Sequence, residues 1–501
     1  RMRVYGTLEK NVKEISATVP SSRNYDPSNR LLRRISKRFS QELIRRRSSF
    51  VEALPETPRG WAVLIAALSS LILSYEINLQ KSLTAPPMVF CQLADDLMTN
   101  IYQRLSGNPD SIFSRNINPS LFVGTRGAVA STAAFLGGGP SAGGYTRFRE
   151  VVVMSQDGAQ VALDWELPVS DTPAFKEAAL KGPLPKNLIL ILHGINNDAD
   201  FGYMRSLMRV CTKRGWAAVG MNFRGCGGLS LSTPRSYNGA YTGDIRCVVQ
   251  ILGSRLASGF SMFLVGNSLG ANLMTKYLGE EGRGETLPKF VAGGISLGNP
   301  VSIHSKHIIF PWGHLLSLGA RKGVVENLLT LRKMKSSYYQ KRLRMALLAS
   351  TMGEFDEALA PIFIKNNTYP PYQYEIGYED GESYWHDGSS YRYIRHINVP
   401  LLQLSSQDDF LIASSSASKL HYSLSNPNVM VVNTRCGGHL GWHESSPDTD
   451  SIFGFGTSWA DTATTAFIDA ILKGKLEIAK GGEKAINFSA RKQAANLKSK
   501  L

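Results

Sequence analysis

A serine can act as a nucleophile where a strand turns sharply into a helix between small residues, and the pattern G-x-S-x-G encodes that turn. The chain contains it three times, at Gly139-Pro-Ser141-Ala-Gly143, Gly266-Asn-Ser268-Leu-Gly270 and Gly294-Ile-Ser296-Leu-Gly298. Context separates them. Ser141 lies in a Gly-rich stretch, directly after Pro140 and with no apolar run leading into it. Ser296 follows an apolar run but leads into Asn299-Pro300, and the proline disfavours a helix behind it. Ser268 follows a compact apolar run, Met262–Val265, and precedes a helical stretch, Ala271–Leu278.

A serine hydroxyl needs a base, and the base needs an acid that holds its tautomer. In the chain order Ser, Asp, His, the candidates stand at strand exits: Asp408-Asp409 after Leu401–Leu404, and His439 after Val429–Val432 with Gly437-Gly438 leading into it. Asp409 is preferred to Asp408 for its spacing to the hydrophobic Ile412, and one of the pair is expected to face solvent. His443 is a poorer rival to His439, and the remaining histidines fall on cap-like or surface-like segments. The expected chemistry is attack by Ser268 on an acyl carbonyl, with His439 taking the proton and Asp409 orienting the imidazole. The oxyanion is expected to meet the backbone N–H groups of Leu269 and Ile195. His193 reads as scaffold.

These residues need a frame that brings strand ends together. Short apolar runs at Leu188–Leu192, Ala217–Asn222, Met262–Val265, Phe290–Leu297, Leu401–Leu404 and Val429–Val432 alternate with helical patterns. That alternation predicts an α/β class with a mostly parallel twisted sheet covered by helices on both faces. Ahead of it, two β-rich runs around Asp157-Gly158 predict a hairpin. Residues 301–397 interrupt the alternation with helix-like and aromatic sequence, which predicts a cap inserted over the strand ends. The resulting division is a basic N-terminal region, 1–60; a hydrophobic membrane anchor, 61–75; a linker or accessory region, 76–145; a catalytic domain, 146–472; and a basic tail, 473–501.

The net charge of +16 suits either nucleic acid or an acidic surface, so its position decides. Residues 1–60 hold fourteen Lys/Arg against six Asp/Glu, and the tail from Lys473 holds eight against two, leaving the middle nearly balanced. Basic ends argue against a nucleic-acid groove across the body and for contact with acidic lipid head groups or for a targeting leader. Residues 31–47 interleave apolar residues and cations at helical spacing, as in a basic amphipathic helix. The uncharged run Trp61–Tyr75 is about fifteen residues where a span needs about twenty. It reads as a spanning or half-inserted anchor, with a buried helix or part of a targeting peptide as alternatives. If it spans, the upstream arginines place the N-terminus in the cytosol. The opening Arg1 reads as a fragment or processed form. Five widely spaced cysteines form no disulfide framework and no zinc spacing, and no Walker motif or strand-coupled dinucleotide fingerprint occurs, so no cofactor or metal is expected.

Taken in order, the Asp157-Gly158 hairpin, Asn222-Phe-Arg224-Gly-Cys-Gly-Gly228, Thr233-Pro-Arg235-Ser-Tyr237 with Asp244, Gly266-Asn-Ser268-Leu-Gly270, Asp408-Asp409 and Gly437-Gly-His439-Leu-Gly441 form a specific set. From about Tyr145 to Trp442 the chain resembles a branch of the α/β-hydrolases. That branch includes yeast medium-chain fatty-acid ester synthase/esterases, plant embryogenesis-associated hydrolases and vertebrate membrane-anchored α/β-hydrolase-domain lipases. The resemblance implies the α/β-hydrolase fold, an N-terminal membrane anchor, and lipid or medium-chain acyl esters as substrates; the sequence leaves the compartment open, with an endomembrane or a plastid as candidates. It also implies structural pairing of Arg224 with Asp244. One departure stands out: where the family continues with small residues after His193-Gly194, this chain has Ile195-Asn-Asn-Asp198.

Three functions are weighed. The first is a serine carboxylic ester hydrolase. The second is an acyltransferase that passes the same acyl group to an alcohol or lysolipid; the sparse H-x-x-x-x-D pattern sometimes linked to it occurs at His193–Asp198 and His443–Asp448. The third is a non-catalytic binding protein on the same fold, disfavoured because no triad member is missing. The sequence leaves the oligomeric state open.

Overall fold

The protein is described from a computed structural model, which places residues 57–93, 95–136, 144–363, 365, 377–412, 417–445 and 458–498. The expected amphipathic helix at 31–47, Ser141, the aromatic segment Tyr369–Tyr374 and Asp448 lie outside the described residues.

Among the described residues, nine strands form one sheet in the order β1-β9-β8-β7-β6-β4-β5-β3-β2. The strands are β1 (Met88–Cys91), β2 (Tyr145–Val153), β3 (Gln160–Pro168), β4 (Leu188–Leu192), β5 (Ala217–Asn222), β6 (Met262–Asn267), β7 (Val291–Leu297), β8 (Leu401–Ser406) and β9 (Val429–Thr434). From β5 to β9 all pairings are parallel, whereas β2–β3, β3–β5 and β1–β9 are antiparallel. The short runs read as strands are apolar throughout because both faces of the sheet are covered. In β4, Leu188, Leu190 and Leu192 join one core cluster while Ile189 and Ile191 join the other, and all five are fully buried. Each such side chain contributes on the order of 1.5–3 kcal/mol.

Helices Gly243–Ser254 and Leu269–Gly284 cover one face; Asp96–Ser106, Gly202–Lys213 and the start of Trp459–Lys498 cover the other. The chain leaves β4 outward to β5 and crosses back to β6, so the strand order reverses at β4. Ligand crevices form beyond the carboxyl ends of strands at such a reversal.

The described residues of 76–145, the span read from sequence as a linker or accessory region, pack against the sheet. They supply β1, paired with β9 in the register Met88↔Asn433 to Cys91↔Met430, and the core residues Met98, Ile101 and Leu105. They also supply helix Gly127–Leu136, whose Ala130, Ser131 and Ala134 are buried. The strand is only four residues long and the second helix is almost uniformly apolar, so neither leaves a clear period to read.

Among the described residues the expected cap contains helices Trp312–Glu326, Leu328–Leu331, Ser337–Leu348, Met352–Leu359 and Gly381–Gly388, with a core of its own around Leu343, Phe355 and Trp385. It is pinned to helix Leu269–Gly284. Asn272 donates to the Gly388 carbonyl at 2.7 Å and accepts from the Ser390 N–H at 3.0 Å, and the buried Lys276 ammonium meets Asp387 at 3.0 Å and Glu280 at 3.3 Å. Arg224 pairs with Asp244 at 2.6 Å and also with Asp157 of the β2–β3 turn, so the pair expected from resemblance is a buried triad.

Contacts divide the chain into two units, Arg1–Ser74 and Tyr75–Leu501. The apolar helix Pro58–Leu83 is longer than the expected anchor and, over Trp61–Leu83, is long and apolar enough to cross a membrane. Within it, Val63, Ile65, Leu68, Leu71 and Ile72 are all exposed. Its last turns belong to the larger unit: Glu76 is buried against Arg126 and Thr125, and Gln80 donates to the Pro119 carbonyl at 2.7 Å.

Candidate active site

β6 ends at Asn267, and Ser268 follows in a strained positive-φ conformation (φ 53°, ψ −117°) before helix Leu269–Gly284 begins. The two flanking glycines are required by space. A Cβ on Gly266 would lie 2.4 Å from the Ala271 Cα, and one on Gly270 would lie 2.5 Å from the His193 carbonyl oxygen and 2.7 Å from that of Leu192. The turn is therefore pressed against the exit of β4. Asn267 reinforces that contact by donating to the Leu192 carbonyl at 3.1 Å. Ser296, by contrast, is fully buried within β7 and bonded to Asn299 and Thr275.

His439 and Asp409 reach this serine from the ends of β9 and β8. His439 Nε2 is 2.8 Å from Ser268 Oγ, and its Nδ1 is 2.8 Å from Asp409 Oδ2. The other oxygen of Asp409 accepts from the N–H groups of Leu411 at 2.9 Å and Ile412 at 3.1 Å, which fixes the carboxylate plane. Both side chains are almost fully buried. Asp408 does not turn to solvent as expected of one member of the pair. It is half-buried and accepts from the Gly438 N–H at 2.8 Å, and burial pushes its carboxyl above the usual range. The turn before the histidine needs an acceptor there, which is why the second carboxylate points inward.

The histidine loop leans on the accessory helix Gly127–Leu136. The His439 N–H donates to Ser131 Oγ at 2.7 Å, and that hydroxyl donates to the Gly127 carbonyl at 2.7 Å. Gly438, at φ 56°, lies so close that a Cβ would sit 2.1 Å from the Gly127 carbonyl oxygen. His443 is turned away to the Ala130 carbonyl at 3.1 Å. Nothing local in the sequence around Ser131 signals this role.

The loop after β4 is held from several sides. His193 Nε2 accepts from the Phe223 N–H at 3.1 Å, which leaves Nδ1–H to donate to the Gly194 carbonyl at 2.7 Å. Complete burial lowers its pKa to about 4, so the ring is a neutral bracket, as its scaffold reading expects. Tyr203 Oη accepts from the Gly194 N–H at 3.0 Å and from Asn197 Nδ2 at 2.9 Å. Asn196 takes the left-handed conformation (φ 59°) and donates through Nδ2 to the Leu316 carbonyl of the cap at 2.9 Å. Asparagine is among the few non-glycine residues that adopt this conformation readily, the one sequence hint in Ile195-Asn-Asn-Asp198. The backbone N–H groups of Ile195 and Leu269 have no hydrogen-bond partner among the described residues.

Above Ser268 lies a cavity of about 390 Å³ with a mainly apolar wall that includes Phe135, Ile195, Ile308, Trp312, Leu315 and Phe410. Ile195, Asn196 and Leu269 also line a second cavity of about 510 Å³, floored by the Gly225–Gly228 loop. Asp356 borders both; complete burial raises its carboxyl to about 7, against hydrogen bonds from Ser305 Oγ and Trp385 Nε1. The arrangement offers a hydroxyl on a proton relay, two free backbone donors beside it and an apolar recess above.

A family model for the alpha/beta hydrolase fold matches residues 187–445. The chain is 26% identical over 368 residues to the embryogenesis-associated protein EMB8 of Picea glauca, covering 71% of this chain and 72% of that protein. It is 30% identical over 269 residues to a monoacylglycerol lipase of Saccharomyces cerevisiae, covering 51% and 55%. With phospholipase ABHD3 of Mus musculus it shares 26% over 299 residues, covering 60% and 67%. Among solved structures, a bacterial membrane phospholipase A aligns over 66% of this chain and 87% of its own, with a TM-score of 0.38 and 17% identity.

Proposed function

This chain belongs to the alpha/beta hydrolase fold family, and from that premise we propose that it is a serine carboxylic ester hydrolase acting on acyl esters of lipids or medium-chain fatty acids. The observation that carries this reading is the relay of two 2.8 Å contacts from Ser268 through His439 to Asp409. Similarity to proteins named as a monoacylglycerol lipase and a phospholipase, together with the apolar recess, supports the acyl-lipid class.

In the proposed mechanism, Ser268 Oγ attacks the ester carbonyl carbon as its proton passes to His439 Nε2. Asp409 holds the Nδ1–H, which fixes the reactive tautomer and stabilises the imidazolium. The negative charge that develops on the carbonyl oxygen meets the N–H groups of Leu269 and Ile195. Leu269 stands at the start of a helix, where backbone donors and the helix dipole favour negative charge. His439 then hands the proton to the departing alcohol, and the acyl-serine is cleaved by water with the same histidine as base. Acyl transfer to an alcohol or lysolipid shares every step up to this last one. The exposed apolar helix after Pro58 attaches the protein to a membrane in this reading.

Fluorophosphonate labelling of the wild type and of Ser268→Ala, Ser141→Ala and Ser296→Ala tests the nucleophile. Only Ser268→Ala is expected to lose the label; labelling that persists in it sinks the assignment. Chain-length profiles on soluble and bilayer-presented esters, with and without an added alcohol, separate hydrolysis from transfer. A chain lacking residues 1–74 is expected to leave the membrane pellet.

A further inference from the structure

A surface helix of a folded domain ordinarily turns its apolar stripe inward and a polar face to water. Two cap helices break that rule. Helix Ser337–Leu348 buries Tyr339, Leu343 and Ala346, yet Tyr338, Lys341, Met345 and Leu348, spaced 3, 4 and 3 residues apart, form an exposed face. Helix Trp312–Glu326 buries Gly313, Ser317 and Val324, and its exposed face has the same spacing: Leu315, Leu318, Lys322 and Val325. Each outward stripe holds three large apolar or aromatic side chains and one lysine. The turn before Trp312–Glu326 adds Phe310, 79% exposed, and the short helix Leu328–Leu331 between the two helices adds Leu329, 86% exposed.

Charge is segregated in the same region. Residues 312–348 carry eight Lys/Arg and one Asp/Glu, whereas the remainder of residues 61–472 is net negative. The near balance of the middle of the chain therefore conceals a basic cap on an acidic body. The body's internal cations are neutralised: Arg209 by Glu166, Arg224 by Asp157 and Asp244, Arg246 by Glu280 and Glu281, Arg255 by Glu150. In the cap, Arg332, Lys333, Lys335, Lys341 and Arg344 are exposed and have no carboxylate partner among the described residues.

We propose that the outer face of helices Trp312–Glu326 and Ser337–Leu348, with the turn between them, docks on an anionic lipid bilayer. Cations and bare Leu, Met, Val and Tyr on one face match what a bilayer interface offers: acidic head groups outside and acyl chains just beneath. A polynucleotide or an acidic polypeptide would be matched by the charge but not by the apolar residues. Leu315 joins the docking face to the site, since it is half-exposed and also lines the cavity above Ser268. An acyl chain leaving the bilayer would thus meet an apolar path to the serine. This surface is separate from the apolar helix after Pro58, and only its link to turnover rests on the ester-hydrolase reading.

The test uses the full chain with vesicles of phosphatidylcholine alone or doped with phosphatidylserine, and reads amide hydrogen exchange across residues 312–348. The expected result is slower exchange there with phosphatidylserine. It should be lost at high salt, in Lys333→Glu/Lys335→Glu/Lys341→Glu, and in Leu318→Asn/Leu348→Asn. Turnover of a bilayer-presented ester should fall at least about tenfold in the charge-reversed variant, because each reversed cation removes an attraction to the acidic head groups and adds a repulsion. Turnover of a soluble short-chain ester should be unchanged in it. Unchanged exchange with both vesicles, or protection by RNA or polyglutamate but not by vesicles, overturns the proposal. A wild type inactive on every ester yet protected by phosphatidylserine leaves the docking face standing and removes the catalytic reading instead.

Discussion

The serine turn and the histidine loop face each other across 2.8 Å, yet they are built by different means. The serine turn is assembled from five consecutive residues pressed on the end of one strand, with Gly266 and Gly270 leaving the room. The histidine loop has glycines too, but its position is set from far away in sequence, by Asp408 and by Gly127 and Ser131 some three hundred residues earlier. A feature closed by local sterics can be written as a motif. A feature closed by a remote partner cannot.

Substitutions should separate the two constructions by size of effect. On the serine side, Ser268→Ala is expected to lower kcat by on the order of 10⁶, with ester binding retained. Residual turnover within tenfold of wild type would break the assignment. At the histidine, Asp409→Asn should lower kcat by on the order of 10⁴ by leaving the imidazole in the wrong tautomer. An equal loss in Asp408→Asn would mean that the two aspartates share the role. Ser131→Ala removes the acceptor of the buried His439 N–H, a cost of about 1–3 kcal/mol. About a tenfold fall in kcat with little change in KM is expected, and no effect on steady-state turnover would show that the loop stands without its remote support.

The smallest expected effect is on stability. Because burial raises the Asp408 carboxyl in the folded state, folding is penalised once that group ionises. The penalty is absent below the ordinary carboxylate range, grows as pH rises toward the raised value and is complete above it. Asp408→Asn keeps an oxygen for the Gly438 N–H without the charge, so its Tm should exceed that of the wild type at pH 7 and match it near pH 3. Turnover near wild-type level is expected alongside. A lower Tm at pH 7 would mean that the ionised form supports the loop.

Much of the parallel sheet was legible because each strand is a short apolar run bounded by turn residues, and the cap because it interrupts that rhythm. Strand exits pointed to the order Ser, Asp, His, and the spacing to Ile412 to Asp409 over Asp408; in the structure Ser268, His439 and Asp409 stand one after the other within hydrogen-bond distance, 2.8 Å at each contact. Illegible were the parts whose meaning depends on what they touch. Ser131 is one serine in an alanine-rich helix until His439 is placed beside it. Asn196 departs from the family's small residues, and the hydrogen bond from its amide to the cap's Leu316 carbonyl shows itself once the cap is in place. The basic cap was invisible to charge counting because an acidic body offsets it in the total.

The ion pair between Glu76 and Arg126 has a practical consequence for anyone shortening this protein. Arg126 immediately precedes the helix that carries Ser131, and Glu76 sits two residues past the end of the smaller unit. A chain begun at the apparent start of the hydrolase at Thr146 would lose the clamp, the edge strand β1 and the support of His439 together. Its inactivity would then be mistaken for a need for the membrane. Starting at Tyr75 removes the exposed apolar turns and leaves the machinery whole.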